Sequence, residues 1–195
     1  MSHIETIKQH IEDSLQTKQR ILSNEALLTQ IGEAADLLIQ AYQSGKKTLL
    51  AGNGGSAADA QHIAGEFVSK FYFDRPGIPS IALTTDTSIL TAVGNDYGFE
   101  RLFARQIEAQ GQKGDVFIGI STSGNSKNIL AALEACKAKG IKTIGLTGER
   151  KCGMDELCDI VLKIPSADTP RIQESHIMVG HILCGLVEAA LFGTK

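Results

Sequence analysis

Hydrophobic residues in this chain form short continuous runs that alternate with stretches of helical spacing. Apolar runs rich in Ile, Val and Leu occupy residues 48–51, 80–83, 115–120, 142–147 and 159–164. Continuous runs of this kind are typical of strands that are buried on both faces of a sheet. Helical stretches separate most of these runs and cover residues 57–71, 87–109, 126–139 and a shorter segment near 153–157. The alternation predicts an α/β fold with a five-stranded parallel sheet and helices on both sides.

Helical patterns also precede and follow this alternating region. A first amphipathic helix carries apolar residues at the spacing of one helix face, at Ile4, Ile7, Ile11 and Leu15. Ser2 and Glu5 have the spacing of a capping box at its start, and Gly45 ends a second helix. The last helix is predicted to have Thr169 as its N-cap and Pro170 in its first helical position.

Residues 172–192 of this last helix are apolar nearly all the way round. A helix of this composition avoids a solvated surface. It is therefore either the central core helix of one subunit or a contact between subunits, and the pattern favours both equally. Together with the two N-terminal helices, it indicates a homo-oligomer.

Length and composition limit the classes of protein that this chain can belong to. The 195 residues are enough for one domain, with N-terminal helices over 1–45 and an α/β core with a C-terminal helix over 46–195. Hydrophobic content of 43% and charged content of 21% are those of a soluble globular protein. A net charge of −3 argues against a general nucleic-acid-binding surface. We expect no membrane segment and no secretory signal. The four cysteines form no Cys-x-x-Cys pair, which indicates reduced thiols in a cytoplasmic protein.

Two Gly/Ser/Asn-rich loops each connect an apolar run to a helical stretch. The first spans residues 52–56 (Gly-Asn-Gly-Gly-Ser) and the second spans residues 121–126 (Ser-Thr-Ser-Gly-Asn-Ser). Such loops direct backbone N–H groups and hydroxyls toward the positive end of a helix, where anions are stabilised. Each loop is alternatively a plain strand-to-helix connection, although the hydroxyls of the second loop exceed what a turn needs. The pair predicts a site for a phosphorylated, hydroxyl-rich ligand.

Ligands of open α/β sheets bind beyond the carboxyl ends of the strands. The polar residues expected there would suit the hydroxyls and phosphate of a sugar phosphate. They are Asn53, Ser56, Thr84, Asp86, Asn95, Asp96, Ser121, Thr122, Ser123 and Ser126. For any one of them, Asp96 included, a local capping role is as good an interpretation as a ligand contact.

Few side chains of this protein are candidates for acid–base catalysis or metal binding. His62 and Glu66 are four residues apart and share one helix face, although pairs of this kind are usually solvated. His181 lies in an apolar stretch, where a lone histidine is more often a core residue, and His176 is interpreted as structural. Gln173 lies near the start of the same helix.

Five motifs in one order make the chain similar to a known family. They are residues 52–56, His62-x-x-x-Glu66, residues 94–96 (Gly-Asn-Asp), residues 121–126 and residues 171–176 (Arg-Ile-Gln-Glu-Ser-His). They resemble the bacterial phosphoheptose isomerases (sedoheptulose 7-phosphate isomerases) of the sugar isomerase (SIS) domain superfamily. The resemblance covers essentially the whole chain. It implies a parallel sheet of flavodoxin-like order and a homotetramer with active sites at subunit interfaces. It also implies the first step of nucleotide-activated heptose synthesis for lipopolysaccharide or related glycans.

The resemblance also assigns roles to residues of this chain. It implies catalysis by Glu66 and His181, and one zinc ion per subunit held by His62, Glu66, Gln173 and His181. The substrate contacts that it implies, together with Ser56 from the first loop, are Asn53, Gly54, Gly55, Glu66, Asn95, Asp96, Ser121, Thr122, Ser123, Ser126 and Gln173. Interconversion of a ketose and an aldose needs a proton moved through an enediol, which a carboxylate and an imidazole can do.

Two questions remain open at this point. Gln173 and His181 are eight residues apart, about 12 Å along a helix, so binding one ion would need long reach or a second subunit. The main alternative function is a non-enzymatic tetramer of the same superfamily that acts as a scaffold on a replication initiator. As that group is usually described, it lacks the glutamate and the Ser-Thr-Ser-Gly loop, and this chain has both in Glu66 and Ser123.

Overall fold

The computed structural model describes residues 2–193 as a central sheet between two layers of helices. The strands are β1 (Thr48–Gly52), β2 (Ser80–Ala82), β3 (Val116–Ile120), β4 (Lys142–Gly148) and β5 (Ile160–Ile164). The helices are α1 (His3–Leu22), α2 (Glu25–Gln43), α3 (Gly55–Val68), α4 (Thr87–Tyr97), α5 (Leu102–Gln110), α6 (Lys127–Lys139), α7 (Met154–Leu157) and α8 (Thr169–Phe192). The predicted domain bounds of 1 and 195 lie outside the described residues.

All strand pairs are parallel and the strand order is β2-β1-β3-β4-β5, which confirms the predicted fold class. Strands β1 and β3 are buried along their whole length, as their continuous apolar runs predict. The strand order reverses between β1 and β3, because the chain leaves β1 toward β2 on one side and β3 toward β4 on the other. The crevice at this point is where open α/β sheets bind ligands.

Two hydrophobic clusters fill the spaces on the two faces of the sheet. One contains buried residues of α2, α3 and α8 packed on Leu50, Val116 and Ile118. The other contains buried residues of α5 and α6 packed on Leu49 and Phe117. Alternate residues of each strand enter opposite clusters, as the two-residue period of a strand requires. Helices α3 and α6, which follow the two Gly/Ser loops, therefore cover opposite faces.

Several helix ends differ from the sequence-based prediction. The single helix predicted over 87–109 is wrong, because Gly98 takes a positive φ of 85° and ends α4. A short 3₁₀ turn (Phe99–Arg101) and α5 follow it. The cap of α8 is Asp168, and Thr169 is already helical, so Pro170 occupies the second position. The capping box of Ser2 and Glu5 is confirmed.

Helix α8 belongs to the core of the domain. By length and composition it is long enough and apolar enough to cross a membrane, which the sequence-based expectation did not allow for. It packs against α2 and α3, and Val179, Leu183 and Val187 are fully buried there. Its Ile182 and Leu186 are exposed, at 41% and 44%. The interpretation of α8 as a core helix is therefore confirmed for its buried face.

Helix α1 presents an apolar face to solvent. Ile4, Ile7, Ile11 and Leu15 are between 56% and 66% exposed, although their spacing is that of a buried helix face. The buried residues of α1 are Thr17 and Ile21, near its C-terminal end. The hydrophobic face of this helix is therefore uncovered in a single subunit.

Candidate active site

Helices α3 and α8 lie side by side and bring together three side chains that are distant in sequence. Gly180 allows the approach, because a Cβ at this position would be 2.5 Å from Cδ1 of Ile63. One residue before Ile63 is His62, and one residue after Gly180 is His181. The close packing of the two helices therefore places the two imidazoles next to each other.

His62, Glu66 and His181 form a compact cluster of nitrogen and oxygen donors. Nε2 of His62 is 3.0 Å from Oε1 of Glu66 and 3.2 Å from Nε2 of His181. One ligand atom from each of the three residues lies within 4.8 Å of the others. The ring nitrogen of His62 offers either one proton or one lone pair, so it cannot bond well to both neighbours at once. A cation placed between the three atoms would satisfy all of them.

The donor set fits zinc in kind, and its two histidine nitrogens also fit zinc in spacing. Imidazole nitrogens and a carboxylate oxygen are ordinary zinc ligands, and tetrahedral bonds of about 2.0–2.1 Å place two ligand nitrogens roughly 3.3 Å apart. The separation of 3.2 Å between the Nε2 atoms of His62 and His181 matches this value. Three protein ligands leave a fourth position open, as in catalytic zinc sites.

A buried ion pair supports the wall of this cluster. Glu188 of α8 accepts hydrogen bonds from the backbone N–H groups of Phe71 and Tyr72, at 2.8 and 2.6 Å. Nε of Arg75 donates to the same carboxylate at 3.0 Å. Arg75 also donates to the backbone carbonyl of Glu66 at 2.8 Å. The ring of Phe71 lies 5.5 Å from that of His181, so the ion pair fixes a neighbour of the imidazole.

The second Gly/Ser loop is folded by its own hydroxyls. Oγ of Ser121 lies 2.9 Å from Oγ of Ser126, and Oγ of Ser123 accepts from the backbone N–H of Asn125 at 3.2 Å. Gly124 has a φ of 66°, and a Cβ there would collide with Cys152. A cavity of about 210 Å³ adjoins the loop, and it is lined in part by Thr122, Ser123, Arg150 and Lys151. The carboxylate of Glu149 also lines this cavity, so the hydroxyls and the two cations favour an anion against one negative charge.

The first loop begins α3 and contacts the second loop's helix. Gly54 has a φ of 56°, which favours glycine, and Gly55 is the first residue of α3. Ser56 is buried and its backbone N–H donates to the carbonyl of Asn53. The side-chain amide of Asn53 makes two hydrogen bonds with that of Asn128, at 2.9 and 2.8 Å.

Three of the predicted site residues lie apart from the histidine cluster. Gln173 lies beside Gly55, where a Cβ on that glycine would be 2.6 Å from Nε2 of Gln173. This position is about two helical turns before His62 and His181, so Gln173 is near the first loop rather than within the cluster. Asn95 and Asp96 are exposed on α4 and bond to each other at 2.8 Å. Asp96 caps no helix, whereas Asp86 caps α4.

Other titratable groups have structural surroundings. His176 is fully buried, and burial lowers its pKa to about 4, while a bond to the carbonyl of Thr147 opposes this. Its interpretation as a structural residue agrees with this burial. Burial likewise raises the pKa of the Cys136 and Cys184 thiols to about 12. All four cysteines are free thiols, as predicted.

Sequence reasoning missed three residues of this region: Phe71, Glu188 and Asn128. The signal for Glu188 was a lone carboxylate within the apolar stretch of α8, because a buried charge needs a partner. The signal for Asn128 was an asparagine directly before the apolar residues of α6, next to a hydroxyl-rich loop. No sequence pattern indicated the placement of Phe71.

Comparison with known proteins shows the family and the fold of the chain. A family model for the SIS domain matches residues 8–148. A phosphoheptose isomerase 2 from Campylobacter jejuni is 69% identical over 187 residues, which are 96% of this chain and 93% of the relative. The chain belongs to the phosphoheptose isomerase family. A phosphoheptose isomerase from Aneurinibacillus thermoaerophilus is 65% identical and covers 97% of this chain, with 96% of its own length matched.

A solved structure of a phosphoheptose isomerase from Francisella tularensis has the same fold. Its TM-score is 0.92 at 37% identity, and the match covers 96% of this chain and 98% of that one. The predictions of an SIS-domain fold and of an isomerase enzyme are therefore confirmed, and the enzyme interpretation is preferred to that of a non-enzymatic scaffold. The substrate is a small sugar phosphate, as the activity of the family requires.

Proposed function

We propose that the enzyme converts sedoheptulose 7-phosphate to D-glycero-D-manno-heptose 7-phosphate through an enediol. The observation that carries the proposal is the convergence of Glu66 and His181 across the contact between α3 and α8. A carboxylate and an imidazole within a few ångströms of each other are the two groups that a ketose–aldose isomerisation needs. The Gly/Ser loops at the strand ends suit a phosphorylated, polyhydroxylated chain.

The reaction moves two protons and leaves the enzyme unchanged. The carboxylate of Glu66 takes a proton from C1 of the ketose and later returns it to C2. His181 gives a proton to O2 as the enediol forms and takes one from O1 as the aldehyde forms. Oε1 of Glu66 contacts His62, and we assign the second carboxylate oxygen to the substrate proton.

We propose zinc as the cofactor, one ion per subunit, held by His62, Glu66 and His181. When bound, zinc would polarise the substrate carbonyl and stabilise the negative charge that develops on oxygen. Gln173 remains a proposed ligand and substrate contact. Its position near Gly55 means that it would need a long reach or a second subunit to join the three other ligands.

The proposed substrate contacts divide between the two loops. Hydroxyls of the second loop, from Ser121, Thr122, Ser123 and Ser126, would hold the phosphate. The first loop, from Asn53 to Ser56, would contact the sugar hydroxyls. Asn95 and Asp96 are proposed as further contacts on α4, where both side chains are exposed and available to a ligand.

We further propose that the enzyme is a cytoplasmic homotetramer with active sites at subunit interfaces. The exposed apolar face of α1 and the exposed Ile182 and Leu186 of α8 support self-association, because large uncovered apolar faces mark contact surfaces. The product would enter nucleotide-activated heptose synthesis for lipopolysaccharide or a related glycan.

A direct assay tests the proposed reaction. The enzyme is incubated with sedoheptulose 7-phosphate, and the mixture is analysed for an aldoheptose phosphate by NMR spectroscopy. We expect the aldose to appear and to reach a constant ratio with the ketose. In deuterated water, exchange at C2 of the product supports a proton-transfer mechanism. An unchanged ketose would reject the proposed substrate.

A further inference from the structure

The two Gly/Ser loops meet at the point where the strand order reverses. They follow the adjacent strands β1 and β3, and the helices that they begin, α3 and α6, cover opposite faces of the sheet. A crevice therefore lies between the two loops, and side chains from the two halves of the sheet can contact each other across it. Asn53 and Asn128 form a bridge of this kind.

The bridge consists of two reciprocal hydrogen bonds between side-chain amides. Nδ2 of Asn53 donates to Oδ1 of Asn128 at 2.9 Å, and Nδ2 of Asn128 donates to Oδ1 of Asn53 at 2.8 Å. Asn128 is 1% exposed, whereas Asn53 is half-buried. The buried member therefore has no access to a ligand, and the half-buried member does.

The bridge fixes how Asn53 faces the crevice. A side-chain amide has two N–H donors and two acceptor lone pairs. The bonds to Asn128 use one donor and one acceptor of Asn53, which leaves one of each in a defined direction. Without Asn128, the amide of Asn53 would rotate freely, and ordering it would oppose ligand binding.

We propose that Asn128 is a positioning residue that orients Asn53 for substrate binding and joins the two ligand loops across the crevice. Asn128 does not touch the substrate, and its effect passes through Asn53. This inference rests on the proposed role of the first loop in binding the sugar hydroxyls. It assigns a function to a residue that the site motifs do not include.

A double-mutant cycle separates this role from a purely structural one. The variants are Asn53→Ala, Asn128→Ala and the double variant, each assayed for KM and kcat with sedoheptulose 7-phosphate. The loss of one oriented hydrogen bond predicts that Asn128→Ala raises KM about threefold to tenfold, with kcat changed by less than about twofold. The double variant should bind no worse than Asn53→Ala alone, because Asn128 acts only through Asn53.

Thr143→Ala is the matched control. Thr143 is also buried, and its hydroxyl makes two hydrogen bonds with Asp159. It lies near the amino end of β4, whereas the two loops lie at the carboxyl ends of β1 and β3. The Thr143→Ala variant should have a lower free energy of unfolding than the wild type and an unchanged KM. If Asn128→Ala does not fold, the cycle uses Asn128→Asp, which keeps the shape but cannot donate to Oδ1 of Asn53.

The outcomes are distinct. Multiplicative effects of the two substitutions on KM, or an unchanged KM for Asn128→Ala, would overturn the positioning role. The same cycle is measured as Kd by titration calorimetry with sedoheptulose 7-phosphate. An inactive wild-type enzyme that still shows coupling in Kd rejects the proposed reaction but keeps the positioning role. A wild-type enzyme that neither binds nor converts this sugar phosphate rejects both.

Discussion

The guanidinium of Arg75 and the carboxylate of Glu188 form an ion pair inside the protein, with 3.0 Å between Nε and Oε1. Their side chains are 2% and 1% exposed. The pair joins the segment after α3 to the C-terminal half of α8, and it contacts the backbone of Glu66 and Phe71. The proposed base and the ring beside His181 are therefore held by one buried contact.

Replacing Glu188 by glutamine should destabilise the protein strongly. The substitution leaves the buried charge of Arg75 without a counter-charge, and breaking a buried pair in this way typically costs about 3–5 kcal/mol. Chemical denaturation measures the free energy of unfolding. Glu149→Gln is the control, because its pair with Arg20 is exposed and should contribute less than about 1 kcal/mol. Equal losses for the two variants would contradict the role given to the buried pair.

The same carboxylate predicts an acid-dependent stability. Burial raises the pKa of Glu188, but the N–H groups of Phe71 and Tyr72 and the charge of Arg75 outweigh it, so the pKa lies below its ordinary value. A lowered folded-state pKa contributes stability above the unfolded pKa, about 4.3, and this contribution is lost as the pH falls through the folded pKa. The difference in unfolding free energy between the wild type and Glu188→Gln should therefore shrink as the pH is lowered below about 4. A constant difference would show that Glu188 does not titrate in this range.

Glu66→Gln should remove catalysis and keep the fold. The amide retains the size of the carboxylate but cannot accept the C1 proton, so kcat should fall by about 10²- to 10⁴-fold. Steady-state kinetics and circular dichroism measure the two effects. Glu174→Gln removes the same charge from a residue of α8 that pairs with Lys18, and it should leave kcat nearly unchanged. Near-normal turnover of Glu66→Gln would exclude Glu66 as the base.

Zinc content should depend on the histidine cluster. We expect about one zinc ion per subunit in the wild type and much less in His62→Gln, because one of the three clustered donors is lost. Elemental analysis of the purified protein measures this without an activity assay. His10→Gln removes an exposed histidine of α1 and should keep the metal. Chelation should lower activity and added zinc should restore it; an active, metal-free wild type would reject the cofactor.

A charge on the apolar face of α1 should disturb self-association. Ile11→Lys introduces a cation where Ile11 is 56% exposed in the single subunit, so it should not affect the fold of that subunit. Light scattering after gel filtration should show a tetramer for the wild type and smaller species for the variant. Gln9→Lys places the same charge on the same helix at another exposed position and is the control. A tetrameric Ile11→Lys would locate the subunit contacts elsewhere.

Much of the fold was predictable because its central strands are buried on both faces. The runs at 115–120 and 142–147 correspond closely to β3 and β4, since largely apolar sequence is typical of the middle of such a sheet. The break at Gly98 was not predictable from periodicity, because the helical spacing continues on both sides of it. A positive φ at one glycine changes chain direction without changing the pattern of hydrophobic residues.

The site was predictable where its members are close in sequence. His62 and Glu66 follow from helical spacing, and the hydroxyls of the second loop follow from composition. The approach of His181 to His62 depends on how α3 packs against α8, which spacing along one helix does not specify. The same holds for Asn128 and Glu188, whose partners come from other parts of the chain.

The single hydrogen atom that Gly180 carries in place of a side chain leaves room for Ile63 between α3 and α8. A Cβ there would lie 2.5 Å from Cδ1 of Ile63, so a larger residue would require the side chain of Ile63 or helix α8 to shift. The close packing beside the two imidazoles thus depends on a residue that has no side chain, and a survey limited to polar residues would overlook it.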